Sequence, residues 1–90
     1  MSYRVEFKKS AKKEFDELPK NVQDRVIDAV HLLSKNPYTG LLQIRKIRGG
    51  ENLFRVRLGN YRLLYEVRKE VLLVLVIKIG HRSGVYRFLD

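Results

Sequence analysis

The chain contains no cysteine, which removes disulfide frameworks and thiolate zinc sites from consideration. Its longest uninterrupted apolar run, Val71 to Ile77, falls far short of the roughly 20 residues that a membrane-spanning helix needs. The N-terminus, Met1-Ser2-Tyr3-Arg4-Val5-Glu6, has no apolar signal-peptide core, so no membrane association and a cytoplasmic location are expected. Paired carboxylates, a His-x-x-x-His pair, a Gly-x-Gly-x-x-Gly loop and a Walker loop are all missing. On these grounds no metal and no cofactor are expected. Histidine is scarce, occurring only at His31 and His81.

Positive charge, in contrast, is abundant. Nineteen Lys and Arg against ten Asp and Glu leave a net charge of +9 on 90 residues. Such an excess points to a nucleic acid, an acidic membrane surface or an acidic protein partner. A hydrophobic content of 44% argues against disorder. The length fits one domain over residues 1–90, burying roughly 60–65% of its unfolded surface.

Periodicity gives the order of elements. Tyr3 to Phe7 alternates as a strand does. Ser10 reads as the N-cap of a short helix with apolar positions Ala11, Phe15 and Leu18. Pro19 and Lys20 break it, and Asn21 with Asp24 supplies a cap and an acidic first turn for a second helix. The core stripe of that helix is Val22, Val26, Ala29, Val30 and Leu33, and Asn36-Pro37 ends it. After a loop over 37–43, Ile44 to Arg48 reads as a short edge strand closed by Gly49-Gly50. A hairpin follows, then a turn near Arg68-Lys69-Glu70, a buried strand over 71–79 and a tail from Gly80 to Asp90. The expected fold is α+β, in the order βααβββ, with two helices on one face of a small antiparallel sheet.

The hairpin carries the strongest chemical signal. Residues 54–65 alternate apolar and basic side chains around Gly59-Asn60, a pair suited to a type II′ turn. That turn places Leu58 opposite Tyr61 and Arg57 opposite Arg62, so Arg55, Arg57 and Arg62 share one face. Like charges directly opposed destabilise a sheet, and a bound polyanion would offset the cost. Arginine's planar fork suits phosphate oxygens.

Other basic groups admit two readings. Lys8, Lys9, Lys12 and Lys13 share their surface with Glu14, Asp16 and Glu17, as a solvated helix face does, although a phosphate site is the alternative. Arg45, Lys46 and Arg48 either flank an RNA-binding groove or decorate plain surface. In the tail, His81 is either a proton-transfer group or a structural histidine. Tyr86 either stacks on a base or packs the sheet edge. His31 reads as a boundary residue on the second helix. RNA cleavage needs no metal where a neighbouring 2′-hydroxyl attacks. It then needs a base, cations for the crowded phosphorane and an acid for the leaving 5′-oxygen.

Three segments, Lys46-Ile47-Arg48-Gly49, Asn60-Tyr61-Arg62-Leu63-Leu64-Tyr65 and Gly80-His81-Arg82 with Val85-Tyr86, resemble the RelE/ParE toxin superfamily, RelE-like branch. The resemblance covers essentially the whole chain. It implies the toxin of a type II toxin–antitoxin pair that cleaves mRNA in the ribosomal A site, without metal, and is neutralised by a cognate antitoxin wrapped around it. Carried over by position, Arg62 stabilises the phosphate, Arg82 acts near the leaving group as acid or electrostatic stabiliser, and Tyr86 orients the substrate by stacking. Arg55 and Arg57 stand where the best-known RelE enzymes carry lysines, and arginine does not give up its proton. Arg57 is thus expected to clamp the transition state, with His81 as the base and Glu51 a distant second. Two other functions remain open at this point: a ParE-type toxin acting on DNA gyrase, and a non-catalytic RNA- or ribosome-binding module.

Overall fold

In a computed structural model, which describes residues 2–85, the N-terminal alternation forms strand β1 (Arg4–Phe7). Helix α1 (Lys9–Asp16) follows, and Ser10 lies inside it rather than at its cap. The reason is where the strand lets go. The Lys8 N–H still donates to Val76 O at 2.9 Å, while the Lys8 carbonyl already accepts from Lys12 N at 2.9 Å. Strand thus passes into helix at Lys8, with no side-chain cap.

Helix α2 (Lys20–Lys35) also starts earlier than its side chains suggest. Pro19 occupies the cap position in place of Asn21, and its carbonyl accepts from both Val22 N and Gln23 N. A proline loses nothing where an N–H would have no helical partner. Asp24 instead pairs with Lys20 at 2.8 Å, an exposed i,i+4 contact of small energetic weight. Val22, Val26, Ala29 and Leu33 are buried and Val30 is half-buried, so the expected stripe is the packing face. Asn36 ends the helix in extended geometry ahead of Pro37, with φ −157° and ψ 107°.

Strands β2 (Gln43–Lys46), β3 (Leu53–Leu58), β4 (Tyr61–Arg68) and β5 (Leu73–His81) complete the chain, with a single 3₁₀ turn at Lys69–Val71 before β5. Among the described residues they form one five-stranded sheet in the order β1-β5-β4-β3-β2. Four strands follow the helices, one more than the order βααβββ counts because the hairpin contributes two, and these four are antiparallel as expected. β1 is not: it runs parallel to β5, from Arg4 opposite Leu73 to Phe7 opposite Val76. The sheet is therefore mixed. A parallel neighbour needs a long crossover, which both helices and the intervening strands supply here. This pairing gives β5 a neighbour on each side, the position its apolar run demands.

Both helices cover one face of the sheet. Val26, Ala29 and Leu33 meet Val56, Leu63, Tyr65, Val74 and Val76 in the core, and Phe7 meets Phe15 edge-on at 5.9 Å. Beyond the end of β1, the edge of β5 is met by Glu14 of α1, which accepts from Ile79 N at 3.2 Å and pairs with the Lys78 ammonium. No helix among the described residues is long and apolar enough to cross a membrane.

Candidate functional site

The face away from the helices is built from cross-strand rows. Gly59 takes φ +63° while Asn60 stays on the negative side, the sign pattern of a type II′ turn. It fixes the expected register, Leu58 opposite Tyr61 and Arg57 opposite Arg62. Extending that register across the sheet gives one row of Gln43, Arg57, Arg62 and Gly80. A second row holds Arg45, Arg55, Leu64 and Lys78. The arginines expected on one face are thus together, and Arg45 joins them from β2. They line a cleft of about 410 Å³ with Gln43 and Ile44.

Arg62 is only 7% accessible, unlike the exposed Arg57 opposite it. Gly80 brings no side chain to its row, and Val85 folds back to within 3.8 Å of where a Cβ on Gly80 would stand. Val85 itself is buried. The returning tail therefore roofs the inner end of the row. Arg62 Nη1 donates to Gly59 O at 2.8 Å and to Tyr61 O at 2.9 Å. Its Nε has no partner among the described residues. Nη1 is held by two carbonyls, while Nε belongs to the guanidinium edge whose parallel N–H pair can grip a phosphate or carboxylate in bidentate fashion. A buried guanidinium without a counter-charge is costly. An anion in the cleft would offset the cost.

The remaining candidates divide. Lys46 and Arg48 border an adjoining hollow of about 600 Å³ with Gly49, Gly50 and Leu53, and Arg55 lines both hollows. Lys46 lies opposite Phe54, so alternation turns it from the arginine rows. Glu51 sits beside this second hollow and not in the arginine cleft. Lys12 is paired with Asp16 at 2.6 Å, in keeping with a solvated helix face.

His81 is placed apart from the arginine rows. It pairs with Tyr61, one position out of step with Arg62 and Gly80, so its side chain belongs to the opposite face. Its ring meets Tyr61 edge-on at 5.6 Å, and Nδ1 accepts from Ser83 N–H at 3.2 Å. The register, not the spacing, excludes it from the cleft. Arg82 is exposed, and its main-chain N–H donates to Asn60 O at 2.7 Å, which ties the start of the tail to the hairpin turn. Tyr86 lies outside the described residues.

Two participants escaped the sequence reading. Gln43 stands two residues before Arg45 and so on the same face, a signal that alternation alone could have given. Tyr65, on the helix side, donates its hydroxyl to Pro37 O at 2.6 Å and stacks on Phe54 at 5.6 Å. Burial, with a smaller contribution from Tyr38, pushes this hydroxyl far above its ordinary range. The bond pins the loop that leads into β2, and so the strand that carries Gln43 and Arg45.

With this geometry in place, comparison with known proteins is decisive. The family model described as ParE toxin of type II toxin-antitoxin system, parDE, matches residues 5–86. The chain belongs to the RelE/ParE toxin family. Within it, the relatives place the chain on the RelE-like branch. Toxin RelG of Mycobacterium tuberculosis is 32% identical over 97% of this chain and 99% of its own. The mRNA interferase toxin RelE of Escherichia coli K12 is 30% identical over 96% of this chain and 92% of its own. Among solved structures, the archaeal RelE–RelB complex from Pyrococcus horikoshii OT3 contains a chain that aligns with a TM-score of 0.81 at 28% identity. That alignment covers 94% of this RelE-like toxin and all of the other chain.

Proposed function

We propose that this RelE-like toxin is an endoribonuclease that cuts mRNA on the ribosome and so arrests translation. The observation that carries the reading is Arg62, which lines the cleft while largely buried, its Nε unpartnered among the described residues. A guanidinium held in that way is preorganised for a phosphodiester, and Arg57, Arg55 and Arg45 extend the positive potential along the strand of RNA.

The chemistry follows from the substrate. The 2′-oxygen attacks the adjacent phosphorus, its proton passing to solvent, and the P–O5′ bond breaks as the 5′-oxygen takes up a proton from solvent, leaving a 2′,3′-cyclic phosphate and a 5′-hydroxyl. Charge builds on the non-bridging oxygens, where Arg62 and Arg57 stabilise it more in the transition state than in the ground state. Among the described residues of the cleft no side chain accepts a proton at neutral pH. Catalysis by this chain thus rests on orientation and charge stabilisation, with Arg82 acting on the leaving oxygen and Tyr86 stacking on a base.

The partner implied by the archaeal relative, itself solved with RelB, is an antitoxin, here expected to be acidic to match a charge of +9. Mapping transcript 5′ ends after induction tests the function. New ends inside coding regions, lost in Arg62→Ala, support it. Intact transcripts with DNA damage would instead indicate a gyrase-directed toxin, and arrested translation without cuts a binding module.

A further inference from the structure

We propose that Gln43 makes the cleft selective for adenine, reading the edge of a base whose neighbouring phosphate the arginines hold; this rests on the endoribonuclease reading. Gln43, Arg57 and Arg62 occupy one row across β2, β3 and β4. Strands lie about 4.8 Å apart, so Gln43 stands roughly two strand spacings from the buried Arg62, on the far side of the exposed Arg57.

The lining chemistry singles this residue out. Arg45, Arg55, Arg57 and Arg62 only donate hydrogen bonds, and Ile44 is apolar. Guanidinium groups hold phosphates and suit the paired acceptors of guanine, but they repel the amino group of adenine. Gln43 is the one lining side chain, among the described residues, with a donor and an acceptor side by side. That pair matches adenine N7 and N6. Bases in single-stranded RNA are free to be read at such edges and to stack on arginine planes. Arg45, the next residue along the same face of β2, supplies a plane.

The strand that carries Gln43 is also held firmly. Tyr65 bonds Pro37 O at 2.6 Å, and Thr39 Oγ1, nearly buried, accepts from Leu41 N at 3.1 Å. Gln43 itself is exposed, so its replacement leaves the core untouched.

The test is single-turnover cleavage on ribosomes programmed with mRNAs that differ only in the base at one position of the A-site codon. Wild type, Gln43→Ala and the similarly shaped Gln43→Met are compared, with thermal melts confirming that each is folded. The expected result is that wild type favours adenine at one position by about 5-fold or more, and that both variants lose this preference. If both variants keep the wild-type preference, or if wild type cuts with no adenine preference, the role of Gln43 is overturned while the endoribonuclease reading stands. If wild type cuts none of the messages, that reading falls and takes the inference with it.

Discussion

Arg57 and Arg62 stand directly opposite each other across the β3–β4 hairpin, the first exposed and the second buried. The pair divides the work of holding an anion. Arg62 is fixed by the carbonyls of its own turn, whereas Arg57 is free to follow the substrate. Removing the fixed member should cost most. Arg62→Ala is expected to slow single-turnover cleavage by about 10²–10³-fold, and Arg62→Lys to restore little, because an ammonium lacks the planar two-donor edge. Activity of Arg62→Lys close to wild type would contradict the assignment.

Arg57→Lys should raise activity. A lysine amid Arg45, Arg55 and Arg62 has its charged form disfavoured by its neighbours, and so becomes able to accept the 2′-hydroxyl proton. A gain of about 10-fold is expected, modest beside the 10²–10⁴ range for general acid–base catalysis. The rate should also acquire a limb that rises with pH, visible in a cleavage profile between neutral and alkaline pH.

Binding should be steeply salt-dependent. Each phosphate contact to single-stranded RNA contributes about −0.7 to the slope of log affinity against log salt. Arg45→Ala and Arg57→Ala are each expected to flatten that slope by roughly one such increment, read by fluorescence titration of a short RNA at several salt concentrations.

His81 offers a test of register. Because it pairs with Tyr61 and lies on the face opposite Arg62, His81→Gln should cost far less than the roughly 100-fold minimum expected on losing a general base. A loss as large as that of Arg62→Ala would place the ring in the chemistry after all.

Tyr65→Phe leaves the Pro37 carbonyl unpaired and should destabilise the domain by about 1–3 kcal/mol in urea denaturation. The same variant tests a pH effect. Tyr65 holds its proton more tightly folded than unfolded, because burial disfavours the phenolate. Its contribution to stability is therefore complete below the ordinary value of 10.0 and is lost as pH rises above it. Wild type should lose up to about 1.4 kcal/mol per pH unit more than Tyr65→Phe in that alkaline range.

Local pattern made much of this protein legible from its residues alone. The stripe Val22, Val26, Ala29 and Leu33, the turn at Gly59-Asn60 and the shared face of Arg55, Arg57 and Arg62 all follow from periods of 3.6 and 2 and from glycine's positive φ. Helix starts were less legible, since Ser10 and Asn21 have the chemistry of caps but main-chain bonds from Lys8 and Pro19 set the boundaries first.

The sequence by itself thus determined the elements, the +9 charge and the arginine hairpin. Tertiary structure alone decided that β1 lies parallel to β5, that Gly80 rather than His81 faces Arg62, and that Val85 packs against Gly80 at the inner end of the row. The physical reason is common to all three. Alternation says which residues of one strand share a face, whereas the register between distant strands comes from packing the whole sheet against its helices, and a one-residue step in it separates a phosphate clamp from a histidine on the other side.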